Sequence, residues 1–341
     1  MKIVITGSPQ AGQQELFSVL TGIPLETFQQ KSQEAHPGVC PVKDPRITKL
    51  IEMYKPKKTA YARIEYLLLP DLSAQGPTKV MLIKQLKNSD ELCFVCRGET
   101  AADDVAGFLS ELIINDLMFV EKRLENIAKG QKAKFAEQAE KEKVVIEKCL
   151  AHLEGEKPLS QFAFTADDKE LIQNYQFLSL KPIIFVINVS EDQIKDNSLS
   201  EKITATYSYP AIQVCAELEQ EISQLDEADR ASFMKEMGIE ESALDKMNRQ
   251  AFDSLGLISF FTVGEDEVRA WPVEQGASAP KAGSVIHSDI EKGFVRAELF
   301  TYDELMAAGS EAKLKELGKF QLKGRDYIVQ DGDILNFRFN V

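Results

Sequence analysis

The sequence predicts an α/β protein: a core built on a parallel-rich sheet, an α-helical hairpin inserted into it, and a small α+β module at the C-terminal end. Three observations lead there. Apolar runs of strand length alternate with helical stretches up to residue 98 and again after residue 176. Helical periodicity alone governs the stretch between them. From Leu257 onward short β-rich runs, punctuated by glycine, replace both patterns. The expected divisions are 1–101 plus 176–256 for the core, 102–175 for the hairpin and 257–341 for the module.

The first element is an apolar strand, Ile3-Val4-Ile5, followed by the turn Gly7-Ser8-Pro9-Gln10-Ala11-Gly12-Gln13-Gln14 and the start of a helix at Glu15. A working phosphate loop reads G-x-x-x-x-G-K-[ST] at such a place. Gly7 and Gly12 keep that spacing, but Gln13 stands at the Lys position and Gln14 at the Ser/Thr position. Backbone N–H groups of a glycine turn at a helix start still attract an anion. A neutral amide supplies neither the charge that grips a transferring phosphoryl group nor the hydroxyl that ligates Mg²⁺. Phosphoryl transfer rests on positioning and charge neutralisation, so hydrolysis should suffer more than binding. On this stretch alone an ordinary tight βα turn that binds nothing is an equal reading.

The next strands are expected at 63–69 and 92–96. Leu109, Leu112, Ile113, Leu117, Val120, Leu124 and Ile127 then recur at helical spacing, Gly130 interrupts, and Phe135, Ala139, Val145, Ile146, Cys149, Leu150 and Leu153 resume. This pattern reads as an antiparallel hairpin with a lysine-bearing tip at Lys129, Lys132 and Lys134. Between residues 121 and 148 there are 8 Lys/Arg against 6 Glu. Such a face is either a solvated helix surface laced by i,i+4 pairs or an arm that touches RNA or another polyanion. The run 181–188 returns to the sheet as a fully buried strand, and Val214-Cys215-Ala216 marks the end of another. Residues 217–256 are helical and charged, with Ile222, Leu225, Phe233, Met237, Leu244, Met247 and Phe252 as the apolar face. In the module, 267–273 and 327–329 read as β-rich, and Gln330-Asp331-Gly332-Asp333 as a turn into a last strand at 334–341.

Composition narrows the classes. The chain has 341 residues, with 44% hydrophobic and 28% charged, a globular balance. No apolar run is long enough for a transmembrane helix, and no signal peptide is expected. Five cysteines in a chain of this size suggest reduced thiols and a cytoplasmic setting. Cys93 and Cys96 form a C-x-x-C inside an apolar strand, where alternation sends them to opposite faces, so they read as core. His36, His152 and His287 are far apart, and no metal site is expected. A net charge of −14 argues against nucleic-acid binding by the whole surface, though not against a local basic patch.

In their order these pieces resemble the YchF/Obg-like ATPase family of translation-associated P-loop NTPases, nearly end to end. The strongest strings are Phe260-Phe261-Thr262-Val263-Gly264, Glu267-Val268-Arg269-Ala270-Trp271 and Val285-Ile286-His287-Ser288-Asp289-Ile290-Glu291-Lys292-Gly293-Phe294-Val295-Arg296. They look like that family's TGS-type (β-grasp) domain. Val39-Cys40-Pro41-Val42-Lys43-Asp44-Pro45-Arg46 is similar to the segment after switch I. The resemblance implies a P-loop NTPase core that prefers ATP, reading the base with N-x-x-E. Here that motif is Asn188-Val189-Ser190-Glu191, with Asn188, Val189 and Glu191 as base-side candidates and Cys215-Ala216 as the loop closing over the base. A strand-end turn residue remains the other reading of Asn188, and a small core residue that of Cys215.

Departures from the family gather at the phosphates. Besides Gln13 and Gln14, the place of D-x-x-G holds Leu68-Leu69-Pro70-Asp71, and only Ser32 lies near the place of the switch I threonine. Asp71 reads as a turn residue or as an alternative acid. The expectation is a degenerate member: weak ATP or ADP binding, a lost Mg²⁺ site, and little or no hydrolysis. The partner implied is the ribosome or RNA, with Lys129, Lys132, Lys134, Lys281, Lys292 and Arg296 as candidate contacts. The segment 257–341 carries 10 Lys/Arg against 14 Asp/Glu, so such contact is local. A monomer away from membranes is expected. Two other readings stay open: an active ATPase or GTPase that recruits Lys31, Lys43 or a partner's charge, and a nucleotide-independent scaffold.

Overall fold

The computed structural model describes residues 1–29, 33–71, 73–129, 136–237, 239 and 241–340. The order begins β1 (Lys2–Gly7), α1 (Gln13–Thr21), α2 (Glu26–Gln29), β2 (His36–Val42), α3 (Pro45–Tyr54), β3 (Lys58–Ala60), β4 (Ala62–Leu68), α4 (Gly76–Lys87) and β5 (Glu91–Arg97). It continues α5 (Ala101–Lys129), α6 (Ala136–Glu154), α7 (Ala166–Ile172), β6 (Ile183–Asn188), α8 (Ser198–Tyr207), β7 (Ala211–Val214), α9 (Ala216–Gln224), α10 (Glu227–Met237) and α11 (Ala243–Ser254). It closes β8 (Leu257–Thr262), β9 (Glu267–Glu274), α12 (Ala279–Ile286), α13 (Ser288–Gly293), β10 (Phe294–Thr301), α14 (Tyr302–Ala308), α15 (Glu311–Glu316), β11 (Gln321–Lys323) and β12 (Asp333–Phe339).

Two compact units result, Met1–Val39 with Glu65–Met247 and Cys40–Ile64 with Asn248–Val341. One six-stranded sheet has the order β2-β4-β1-β5-β6-β7. The pairings of β1 with β4 and β5, of β5 with β6, and of β6 with β7 are all parallel. Strands covered on both faces explain the unbroken apolar runs. On one face Phe94 stacks on Phe108 of α5, ring centroids 4.2 Å apart, in a cluster with Val4, Leu92 and Phe185. Cys93 and Cys96 are fully buried, as the alternation argument requires, and burial pushes the Cys96 thiol up to about 12.

The hairpin is α5 and α6, packed through Ile113, Val120, Val145, Ile146 and Cys149. Arg123 donates to Glu142 across it at 2.9 Å. Midway along α5 the fully buried Asp116 accepts from Leu178 N (2.9 Å), Ser179 N (2.8 Å) and Ser179 Oγ (2.7 Å). One carboxylate thus fixes where the chain leaves the hairpin and re-enters the sheet at β6.

In the second unit the sheet order is β11-β10-β12-β8-β9-β3. The read strands at 267–273 and 334–341 correspond to β9 and β12. At 327–329 the structure has a single antiparallel bridge, Ser278 to Ile328, made by Ala279 N donating to Tyr327 O (2.8 Å) and Val329 N donating to Ala277 O (3.0 Å). Asp44 caps α3 by accepting from Arg46 N. Arg46 clasps Asp44 (2.8 Å) and Asp331 (2.7 Å), with its guanidinium 5.0 Å from the Phe261 ring centroid. We expect Arg46→Ala to lower stability by about 1 to 2 kcal/mol, since two charge-assisted pairs are lost at a partly exposed site. Trp271, the single tryptophan and nearly buried in this unit, reports it by fluorescence in a urea titration. An unchanged midpoint would remove the clasp from any account of stability.

Candidate functional site

The chain order of the first sheet reverses beside β1. After β4 on one side, the chain crosses to β5 on the other. Open parallel sheets bind ligands outside the carboxyl ends of the strands at such a point. The turn 8–12 lies there, and its shape follows from close approaches. A Cβ on Gly7 would come within 2.5 Å of Val95 O, and Ser8 N donates to that same oxygen at 3.0 Å. Gly12 is left-handed (φ 90), and a Cβ there would collide with the Asn188 amide nitrogen. Gln10 is left-handed too (φ 61). Glycine is needed at 7 and 12 for steric reasons, so their spacing was readable in the sequence.

Helix α1 starts at Gln13 with no side-chain cap from Gly12. Its first-turn N–H groups have no intrahelical acceptor, and the helix dipole favours an anion in front of them. Gln13 is nearly buried (8% exposed) and Gln14 half-buried. Pro9 is exposed and Ala11 buried. Ser8 Oγ donates to Asp104 Oδ2 at 2.8 Å, and Thr100 Oγ1 donates to the same oxygen at 2.8 Å. The turn is therefore tied to the first turn of α5, a link across 96 residues that no local motif signals.

Asn188 ends β6 and bridges two loops. Its Nδ2 donates to Ala11 O and its Oδ1 accepts from Ala216 N, each at 3.1 Å. The phosphate-loop candidates and the base-side candidates are thus brought together by one side chain. Val189 is buried and donates to Val214 O at 2.8 Å, while Glu191 is exposed. Cys215 is buried against Leu218 and Ile222, and that burial pushes its thiol up. A cavity of about 460 Å³ opens nearby, lined by Ile194, Lys195, Gln213, Cys215 and Glu219 among others. Its lining includes neither Asn188 nor the residues of the turn.

Of the other candidates, Leu68 is 2% exposed and offers no ligating atom. Asp71 accepts from Ser73 N at 2.9 Å and from Ser73 Oγ, a local turn. Among the described residues no group of three His, Cys, Asp or Glu could hold a metal ion. Lys31 and Ser32, like Lys132 and Lys134, lie outside the described residues. Lys43 is exposed and belongs to the second unit. Lys129 is exposed and pairs with Glu125 at 3.3 Å, one helical turn away. Lys281, Lys292 and Arg296 are exposed, and none of the three is in an ion pair among the described residues. No described helix is long and apolar enough to cross a membrane. Sequence reasoning also missed Arg97, an exposed charge ending the buried run of β5.

The chain is similar to known proteins along nearly its whole length. Residues 257–340 match the YchF-GTPase_C family, described as a protein of unknown function (DUF933). The chain is 35% identical over 366 residues to the Ribosome-binding ATPase YchF of Bacillus subtilis, covering 99% of this chain and 98% of that one. It is 34% identical over 362 residues to the protein of the same name from Haemophilus influenzae, covering 100% and 99%. The structure of the Schizosaccharomyces pombe YchF GTPase superposes with a TM-score of 0.86 at 26% identity, covering 99% of this chain and 97% of that one.

Proposed function

The chain belongs to the YchF family, and from that premise we propose that it is a translation-linked factor that holds an adenine nucleotide weakly, without magnesium, and hydrolyses it little or not at all. The observation that carries this reading is the pairing of an intact cradle with neutral side chains. The uncapped start of α1, Gly12 and the Asn188 bridge suit an anion and a base side by side. The backbone of 7–14 would hold phosphate, and Asn188, Val189, Glu191, Cys215 and Ala216 would border the base. Magnesium does not fit the residues present. Gln14 has no hydroxyl, Leu68 no carboxylate, and Asp71 is engaged with Ser73. No catalytic step through a metal is therefore derived.

The names of the relatives, Ribosome-binding ATPase YchF, support a ribosome as partner. In this reading Lys281, Lys292 and Arg296, with the hairpin-tip lysines Lys129, Lys132 and Lys134, contact rRNA phosphates.

Calorimetry with ATP, ADP and GTP, with and without Mg²⁺, tests the nucleotide half. We expect adenine nucleotides to bind with a Kd of about 0.1 to 1 mM, unaffected by Mg²⁺, with no phosphate released. Magnesium-stimulated turnover would overturn it in favour of an active NTPase. No binding at millimolar nucleotide would leave a scaffold. Salt-sensitive co-sedimentation with ribosomes is the expected result for the other half.

A further inference from the structure

We propose that Arg97 supplies the positive charge that the phosphate loop lacks, holding the ligand's phosphate from the neighbouring strand end; this rests on the nucleotide reading above. The argument begins with charge. A nucleoside diphosphate brings about three negative charges, and a helix start offsets roughly half of one. Gln13 and Gln14 add none. The carboxylates of Asp104 and Glu191 stand at the same end of the sheet, and the first turn of α1 carries Glu15. A cation facing the phosphate would offset the charge that the helix start leaves unbalanced.

Register places one. Val95 of β5 pairs with Gly7, so Arg97 lies two residues further on, roughly 7 Å beyond the strand level at which the turn begins. Across β6 the partner of Arg97 is Asn188. Neighbours in register on parallel strands present their side chains to one face. Asn188 turns its amide toward Ala11 and Ala216, so Arg97 belongs to that same face. The next residue is pressed against the motif as well, since a Cβ on Gly98 would sit 3.1 Å from Val189 Cγ1 and 3.5 Å from Asn188 O.

The strand order adds the rest. β5 lies between β1, which bears the phosphate turn, and β6, which bears Asn188. A ligand reaching from one to the other crosses the end of β5. Arg97 is exposed there, and its guanidinium has no hydrogen bond or ion pair among the described residues. A planar fork suits two phosphate oxygens at once.

Arg97→Ala and Arg97→Lys are compared with the unaltered full chain by calorimetry, using ADP and adenosine without Mg²⁺. The expected result is ADP binding weakened at least tenfold by Ala and partly recovered by Lys, with adenosine changed less than twofold. ADP binding within twofold of the parent in Arg97→Ala, with adenosine also unchanged, overturns the inference and leaves the nucleotide reading intact. Equal weakening of adenosine and ADP overturns it too, because the contact would then be with the nucleoside. Failure of the unaltered chain to bind ADP removes the nucleotide reading and this inference together. Thermal midpoints of both variants should match the parent, as Arg97 is exposed.

Discussion

Asp116→Ala is expected to cost about 3 to 5 kcal/mol of stability, because it strands two buried backbone N–H groups and the Ser179 hydroxyl. The site is fully buried, so water cannot take over those bonds without opening the helix–sheet junction. Urea denaturation followed by circular dichroism measures the loss, and a change below about 1 kcal/mol would show that the junction relaxes around the gap. Burial pushes the Asp116 carboxyl above the usual carboxylate range, opposed by the hydrogen bonds from Ser179 and Leu178. A folded value above the unfolded one means that this group's titration favours folding fully below the unfolded value. That contribution is lost as pH rises through the folded value.

Gln13→Lys combined with Gln14→Ser is expected to raise affinity for Mg²⁺-bound adenine nucleotide at least tenfold, about 1.4 kcal/mol, while leaving turnover undetectable. The lysine restores a charge on the phosphates and the serine a hydroxyl for the metal. Hydrolysis should stay absent because Leu68 remains, buried and without a carboxylate. Position 13 is nearly buried, so the lysine should lower the stability of the unliganded protein and be offset when nucleotide binds. Calorimetry, phosphate release and thermal melts with and without ligand check the three parts. Unchanged affinity would mean that the turn is no cradle. Measurable turnover would mean that position 68 does not limit the chemistry.

Much of the first sheet was legible because its strands are buried on both faces. β1, β5 and β6 appear as apolar runs, and β4 shows as exposed Arg63 and Glu65 alternating with buried Ile64 and Tyr66 before an apolar end. β2 escaped because Pro37 and Pro41 interrupt it and its burial alternates. β3 is three residues of Lys-Thr-Ala at a sheet edge and carries no hydrophobic signal. At the site, the two glycines were legible because their requirement is local and steric. Ser8 with Asp104 was not, since 96 residues separate them. Arg97 became meaningful only when register set it beside Asn188, which no spacing along the chain expresses. The same holds for Arg46 and Asp331, 285 residues apart.

The pairing of Lys58–Ala60 with Glu267–Arg269 bears on how the protein is made. Strand β3 and helix α3 leave the ribosome early, but their partner strand follows 209 residues after Ala60, about 10 to 40 s later at ordinary rates of synthesis. Until then the apolar face of α3, with Ile47 and Leu50, has no sheet to cover it. The nascent chain therefore carries a sticky segment through most of its own translation. A fragment limited to 257–341 would have the reverse defect, with Phe261 and Ile334 bared where α3 belongs. Demand for a chaperone during synthesis, and poor behaviour of a truncated C-terminal piece, are two sides of one discontinuous assembly.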